Sequence, residues 1–316
     1  MKYKAKIKGG IISAAMAAIL LLSGCGAAAS SVASQSSQPQ ASTPADTKVV
    51  STVNGDVTIP ANPQRVIVHY LMGDAIALGV TPVGVSEILP GAVFEEDLKD
   101  AVDLGSWDFE MEEVMALEPD LIISVNEGQY EDLSKIAPTV LVPYGKMTTE
   151  ERVTFMAELL GKEDMAQKIL DEYNDKLQQA KEKMQAAGIE ETTVTILQAS
   201  DNGNALAGDK HALGVLVYKE LGLVPPARVQ TDIIDADAYW GQPSMEVLAE
   251  YCGDVMIHLG EVQDDIKTNA VWNAIPAIKN NQIFEVDTAL TYYTDITSSG
   301  VLADTVSAEL VTLLAK

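Results

Sequence analysis

From Val49 onward the chain alternates short β-branched apolar runs with amphipathic stretches. Arg65-Val-Ile-Val-His69, Val83-Gly-Val-Ser86, Asp120-Leu-Ile-Ile-Ser-Val125 and Thr139-Val-Leu-Val142 read as buried strands. Between them, 73–79 reads as a short helix closed by a C-cap glycine, and 127–136 as another. Over 148–187 the pattern changes. Met156, Leu159, Leu160, Ile169, Leu170, Tyr173, Leu177 and Met184 mostly follow a three-or-four spacing, which draws one apolar stripe along helices that Gly161 divides. Alternation then resumes with Thr193-Val-Thr-Ile-Leu197, a helix over 214–221, Val255-Met-Ile-His258, Ile283-Phe-Glu-Val286 and a closing helix over 302–316. This order predicts an α/β fold of two Rossmann-like lobes with mainly parallel sheets, joined by a long rigid interdomain helix. The expected boundaries are an N-terminal lobe over 49–147, connecting helices over 148–188 and a C-terminal lobe over 189–316.

One short pattern occurs in both lobes. Glu112-Glu-Val-Met-Ala-Leu-Glu-Pro-Asp120-Leu-Ile-Ile is echoed by Glu246-Val-Leu-Ala-Glu-Tyr-Cys-Gly-Asp254-Val-Met-Ile. In each, a glutamate opens one or two helical turns and an aspartate leads into a buried strand, with Trp107 or Trp240 shortly before. A glutamate in a first helical turn complements the helix dipole by about 0.3–1 kcal/mol. That accounts for either glutamate alone, but not for a matched pair on two lobes.

The N-terminus fixes an address. Lys2, Lys4, Lys6 and Lys8 precede an apolar core over 11–22 that is too short to span a bilayer comfortably, and Leu22-Ser23-Gly24-Cys25 closes it. This has the pattern of a bacterial lipobox, with 1–24 as signal peptide and Cys25 as the lipidated first residue. Residues 25–48 are rich in Ala, Ser, Gln, Thr and Pro and read as a flexible spacer. The expected location is the outer face of the cytoplasmic membrane, on a Gram-positive cell surface, held by the lipid anchor alone.

The formal charge of −25 becomes more negative once those four lysines are removed, which argues against nucleic acid or anionic lipid as a partner. The two cysteines are Cys25 and Cys252; with the first acylated, neither an internal disulfide nor a cysteine zinc site remains. No Gly-x-Ser-x-Gly elbow, phosphate-cradling glycine loop or His-Glu-x-x-His helix is present, so the chain is not expected to be an enzyme, and a hydrolase is the remoter alternative.

Taken in order, several landmarks resemble the iron-siderophore and cobalamin type of ABC-transporter substrate-binding lipoprotein. They are Ile59-Pro-Ala-Asn-Pro-Gln-Arg65, Ala77-Leu-Gly-Val-Thr-Pro-Val-Gly84, Leu117-Glu-Pro-Asp120, Leu159-Leu-Gly-Lys162, Trp272-Asn-Ala-Ile-Pro-Ala-Ile-Lys-Asn280 and Gln282-Ile-Phe-Glu-Val286. The resemblance implies a ligand held between the lobes with little closure. It also implies that Glu112 and Glu246 dock on a membrane permease, which is served by a cytoplasmic ATPase. The protein itself is expected to be a monomer without a cofactor.

Open α/β sheets bind ligands beyond the carboxyl ends of their strands. Those ends place His69, Tyr70, Met72, Glu87, Trp107 and Asn126 in the first lobe as ligand-binding candidates. In the second lobe they place Lys210, His211, Tyr239, Trp240, His258, Tyr292 and Tyr293. A strongly anionic tris-catecholate chelate would want several cations, but the chain has only Arg65, Arg152 and Arg228. A hydroxamate-type iron(III)-siderophore fits better, and Tyr292-Tyr-Thr-Asp295 and Val142-Pro-Tyr-Gly145 resemble the hydroxamate-type members. Where hydroxamate binders often carry tryptophan and arginine, this chain has His211-Ala-Leu213, with Lys210 and His211 as possible substitute donors. Haem, ligated by a histidine and Met72, or cobalamin is the alternative, and a free metal held by His69, His211 and His258 is the weaker one.

Overall fold

Two five-stranded sheets carry the fold in a computed structural model that describes residues 46–189, 191–200 and 203–314. The chain enters through an antiparallel hairpin of β1 (Thr47–Thr52) and β2 (Gly55–Pro60). Next come β3 (Val66–Val68), β4 (Gly84–Val85), β5 (Val102–Asp103), β6 (Leu121–Ser124) and β7 (Thr139–Leu141). They form a wholly parallel sheet in the order β5-β4-β3-β6-β7. The second sheet contains β8 (Val194–Ser200), β9 (Gly203–Ala207), β10 (Trp240–Gly241), β11 (Val255–Leu259) and β12 (Ile283–Val286), in the order β10-β9-β8-β11-β12. There β8, β11 and β12 run parallel, while β9 turns back on β8 and β10 on β9. In each sheet the first parallel strand lies between neighbours on either side, so the winding reverses beside β3 and beside β8. Those reversal points are where an open sheet leaves a crevice.

The helical stretch between the sheets divides its apolar stripe. Thr149–Leu160 starts on a capping box, in which the Thr148 hydroxyl accepts from the Glu151 N–H and the Glu151 carboxylate accepts from the Thr148 N–H. It ends at Gly161 in the left-handed region at φ 65°, where a Cβ would meet the Ala61 carbonyl oxygen at 2.4 Å. Met156, Leu159 and Leu160 pack into the core of the first sheet. On the following helix, Glu163–Ala186, the residues Leu170, Tyr173, Leu177 and Met184 pack into the core of the second. The connector is thus two helices rather than one continuous helix, and each enters both cores, Val153 reaching the second and Ala166 the first. Among the described residues no helix is long and apolar enough to cross a membrane.

A buried charge cluster joins three elements. Arg152 Nε donates to Asp74 Oδ2 at 2.7 Å, and both side chains are at most 2% exposed. Asp74 lies in the helix Met72–Ala77, and its Oδ1 also accepts the Ile296 N–H at 2.8 Å at the start of the closing helix Ile296–Leu314. Beside it Asp295 accepts from the Ser298 N–H and hydroxyl. Gly73 is required here because a Cβ would lie 1.9 Å from Asp295 Oδ1. Burial, and secondly the Asp74 charge, push the Asp295 carboxyl up from 3.8 to about 6. A raised folded value favours the protonated form, so the contribution to stability is complete below about pH 4 and is lost as pH rises through about 6. Asp295→Asn, neutral at every pH, should therefore exceed the parent in unfolding free energy above pH 6 by at most about 3 kcal/mol. That advantage should vanish near pH 4. Denaturant unfolding across that range tests this, and a difference independent of pH would contradict it.

The aspartates of the echoed motif have equivalent structural tasks. Asp120 accepts the N–H groups of Gln64 and Arg65 at 2.7 and 2.9 Å, tying the entry of β6 to that of β3. Asp254 accepts the Thr193 N–H at 2.9 Å and its hydroxyl at 2.7 Å, tying β11 to β8. The echo is thus a repeated brace between the two central strands of each sheet.

Several expectations need correction. The spacer expected through 48 ends earlier, because Thr47 and Lys48 already pair with Pro60 and Ile59. Residues 26–45 of that spacer, the signal segment 1–24 and Cys25 lie outside the described residues. The closing helix begins at Ile296 rather than near 302. The helix expected over 214–221 is a π-helix over Val215–Glu220, preceded by one α-helical turn. The second echo forms a 3-10 helix, Met245–Tyr251, where the first forms an α-helix, Met111–Ala116.

Candidate functional site

At the carboxyl end of β3 the backbone turns sharply through Tyr70, a non-glycine residue at φ 69°. That turn aims the Tyr70 side chain across to the second lobe. Its hydroxyl donates to the Tyr292 carbonyl at 2.6 Å and lies 3.0 Å from Thr294 Oγ1. Its ring lies 5.0 Å from Tyr144 and 5.7 Å from Tyr292, centroid to centroid. Burial pushes the Tyr70 hydroxyl well above its ordinary value, so it remains a donor. Tyr144, at the exit of β7, is raised first by burial and then by Tyr292, and Tyr239 is raised to about 12 by burial and then by Tyr144. Tyrosines from both lobes therefore face one another across the crevice.

A second aromatic group forms the C-terminal wall. The His211 ring lies 4.6 Å from Trp240 and 5.9 Å from Tyr239, and those two are 5.7 Å apart. His211 is 8% exposed, and its Nδ1 is buried without a hydrogen-bond partner in the protein. Burial depresses its pKa to about 4, so the imidazole is neutral near pH 7. On the N-terminal wall His69 is buried against Trp107 and Phe109 at 5.1 and 4.9 Å. Burial lowers its pKa, against the opposing pull of the Ser106 carbonyl and Asp108. Trp107, Tyr239 and Tyr292 leave 48, 42 and 39% of their surface in solvent. Exposed aromatics beside strand ends are unusual on an inert surface and suit a cleft that stacks on a bulky solute.

The structure brings Tyr70, Tyr239, Trp240, Tyr292 and His211 around the cleft, with Trp107 at a strand exit beyond His69. It withdraws others. Met72 is wholly buried in the first core, where its sulfur accepts from the Ser86 hydroxyl, so it cannot ligate a haem iron. Tyr293 is wholly buried too, its hydroxyl donating to the Glu87 carbonyl at 2.9 Å and accepting the Leu89 N–H at 2.8 Å. His258 is buried in the second sheet between the Ala199 N–H and the Gly260 carbonyl. Asn126 holds the Trp107 carbonyl and Asp108 in place. Glu87 is half-buried beside Tyr293, and Lys210 is tied to Asp237 at 2.5 Å. The three imidazoles occupy separate surroundings. Among the described residues no three His, Cys, Asp or Glu side chains converge to hold a metal. Two residues of the aromatic bridge, Tyr144 and Thr294, are additions to the sequence reading. The run Val142-Pro-Tyr-Gly145 at a strand end is the signal that points to Tyr144.

All three arginines are committed to the scaffold. Arg65 donates to the Leu117 and Glu118 carbonyls at the end of the first echo helix. Arg152 lies in the buried cluster, and Arg228 pairs with Asp232 and Glu250 and lies over the Tyr251 ring at 4.5 Å. No guanidinium is left to meet a polyanionic solute.

Glu112 and Glu246 each occupy the second position of their helix, and both are exposed. Neither makes an ion pair among the described residues. The Ser244 hydroxyl, and then the backbone N–H of Glu246, hold the Glu246 carboxyl below its usual range.

Two α/β lobes joined by a pair of helices, with an aromatic cleft between them, define a solute-binding protein. Residues 72–290 match the periplasmic binding protein family, and the chain belongs to that family. It is 30% identical to the iron(3+)-hydroxamate-binding protein YxeB of Bacillus subtilis, over 84% of this chain and 86% of that one. It is 29% identical to the iron(3+)-hydroxamate-binding protein FhuD of the same organism, over 90 and 92%. Among solved structures, the FhuD protein from S. pseudintermedius superposes with a TM-score of 0.74 at 26% identity, covering 84% of this chain and 98% of that one.

Proposed function

We propose that this chain is the extracytoplasmic solute-binding component of an ABC importer and that its cleft takes an iron(III)-siderophore of the hydroxamate type. The observation that carries this reading is an aromatic cleft whose walls hold neutral donors and acceptors while every arginine is engaged elsewhere. Hydroxamate chelates of iron are neutral or cationic and present oxygens and apolar edges, which Tyr70, Tyr239, Trp240, Tyr292 and His211 are suited to meet. Two relatives are named for the same class of ligand. Glu112 and Glu246 serve as the docking pair for the permease, which is coupled to a cytoplasmic ATPase. Cys25 serves as the lipid attachment that holds a monomer at the outer face of the membrane, with residues 26–45 as its tether.

Intrinsic fluorescence titration tests the ligand class. With tryptophan and tyrosine lining the cleft, a ferric trihydroxamate should quench emission at least tenfold more tightly than a ferric tris-catecholate, a difference of about 1.4 kcal/mol. Quenching by haem or cobalamin in preference to the hydroxamate would reject the assignment.

A further inference from the structure

One carboxylate beside the cleft has no cation to answer it. A cavity of about 310 Å³ opens off the aromatic bridge and shares Tyr144 and Thr294 with it. On its wall lies Glu220, half-buried at the end of the π-helix Val215–Glu220. Its Oε1 accepts the Thr149 hydroxyl at 2.7 Å and its Oε2 accepts the Tyr173 hydroxyl at 2.5 Å. Both donors are neutral. They fix the carboxylate in place without cancelling its charge.

The cations around the cavity are already taken. Arg152 pairs with Asp74 at 2.7 Å, Lys210 with Asp237 at 2.5 Å and Lys219 with Asp209 at 3.1 Å. Lys146 remains, an exposed amine at the rim on a flexible, well-hydrated stem. Glu220 makes no ion pair among the described residues. The fixed charge left without a counter-ion is therefore the negative one, and the acidity of the whole chain adds to its pull on a cation.

We propose that this cavity is a subsite for a protonated amine carried on the tail of the chelate, with Glu220 as its anionic partner. The inference rests on the siderophore reading above and narrows it to linear chelates whose free end carries an ammonium group. The chelate core would lie against the tyrosines, while the tail passes Tyr144 and Thr294 into the cavity.

The test uses the mature protein and two linear ferric trihydroxamates, identical except that the terminal amine is free in one and acetylated in the other. The free amine should bind about tenfold more tightly, and its advantage should shrink with added salt. In Glu220→Gln the two forms should bind equally. Equal affinities in the parent protein, which need no variant to measure, would overturn the subsite, as would an advantage that persists in Glu220→Gln. A cyclic ferric trihydroxamate without an amine separates the two levels of inference. If it binds while the linear pair is indistinguishable, only the subsite fails. If none of the three binds, the siderophore reading itself fails.

Discussion

Replacing Arg152 by methionine should lower the unfolding free energy by about 3–5 kcal/mol, the range for breaking a buried ion pair from one side. The reason lies in what remains behind. Arg152 is buried next to Asp74 and Asp295, and it is the cation in that cluster. Without it, two carboxylates are left in a site where one already titrates near 6. Asp74 also stays fixed in that site, because its Oδ1 accepts the Ile296 N–H. Arg152→Lys should recover only part of the loss, since the guanidinium reaches both Asp74 oxygens through Nε and Nη2 and an ammonium is a point charge. Chemical denaturation at pH 7.5 measures both variants. A loss below about 1 kcal/mol for methionine would show that the cluster is solvated.

The double variant Glu112→Ala, Glu246→Ala should abolish uptake of the chelate while leaving its affinity in solution unchanged. Both carboxylates are exposed, at the same position in the first turn of equivalent helices, and neither is engaged by a side-chain cation. Each contributes at most about 1 kcal/mol to its own helix through the dipole, so the variant should remain folded at ordinary temperatures. Neither touches the aromatic bridge. Accumulation of labelled iron in cells complemented with the variant, set beside a fluorescence titration of the purified protein, separates the two effects. Weakened affinity would place the pair in the ligand site, and undiminished uptake would leave the glutamates without a role in docking.

The architecture was legible wherever periodicity was strong. The parallel strands of both sheets announce themselves through β-branched runs, and the bridging helices through a long amphipathic stripe. What escaped were elements whose residues carry weak local signals. β9 reads Gly-Asn-Ala-Leu-Ala, poor in β-formers, and is ordered by pairing with β8 rather than by propensity. The hairpin of β1 and β2 did have a signal, Asn54-Gly55 between alternating residues, with Gly55 at φ 100°. Position at an expected strand exit put Tyr70, Tyr239, Trp240 and Tyr292 forward, although Trp240 opens β10 rather than closing a strand and Tyr292 ends a helix. It could not distinguish them from Met72, Tyr293 and His258, because the face a residue takes after a strand depends on the turn that follows it. Tyr70 and Met72 are two residues apart, yet one bridges the cleft and the other fills the core. That outcome is set by the positive φ at Tyr70, which no pattern of polarity encodes.

The two lobes are fastened to each other at several points: the Tyr70 hydroxyl on the Tyr292 carbonyl, Asp74 on the Ile296 N–H, and a pair of helices that enters both cores. With the lobes so fastened, we expect little closing motion to distinguish an empty carrier from a loaded one. If Glu112 and Glu246 dock the permease as proposed, empty and loaded copies would present the same pair of carboxylates and compete for it. Excess empty carrier would then slow import, and the abundance of this protein would have an optimum set by the supply of chelate.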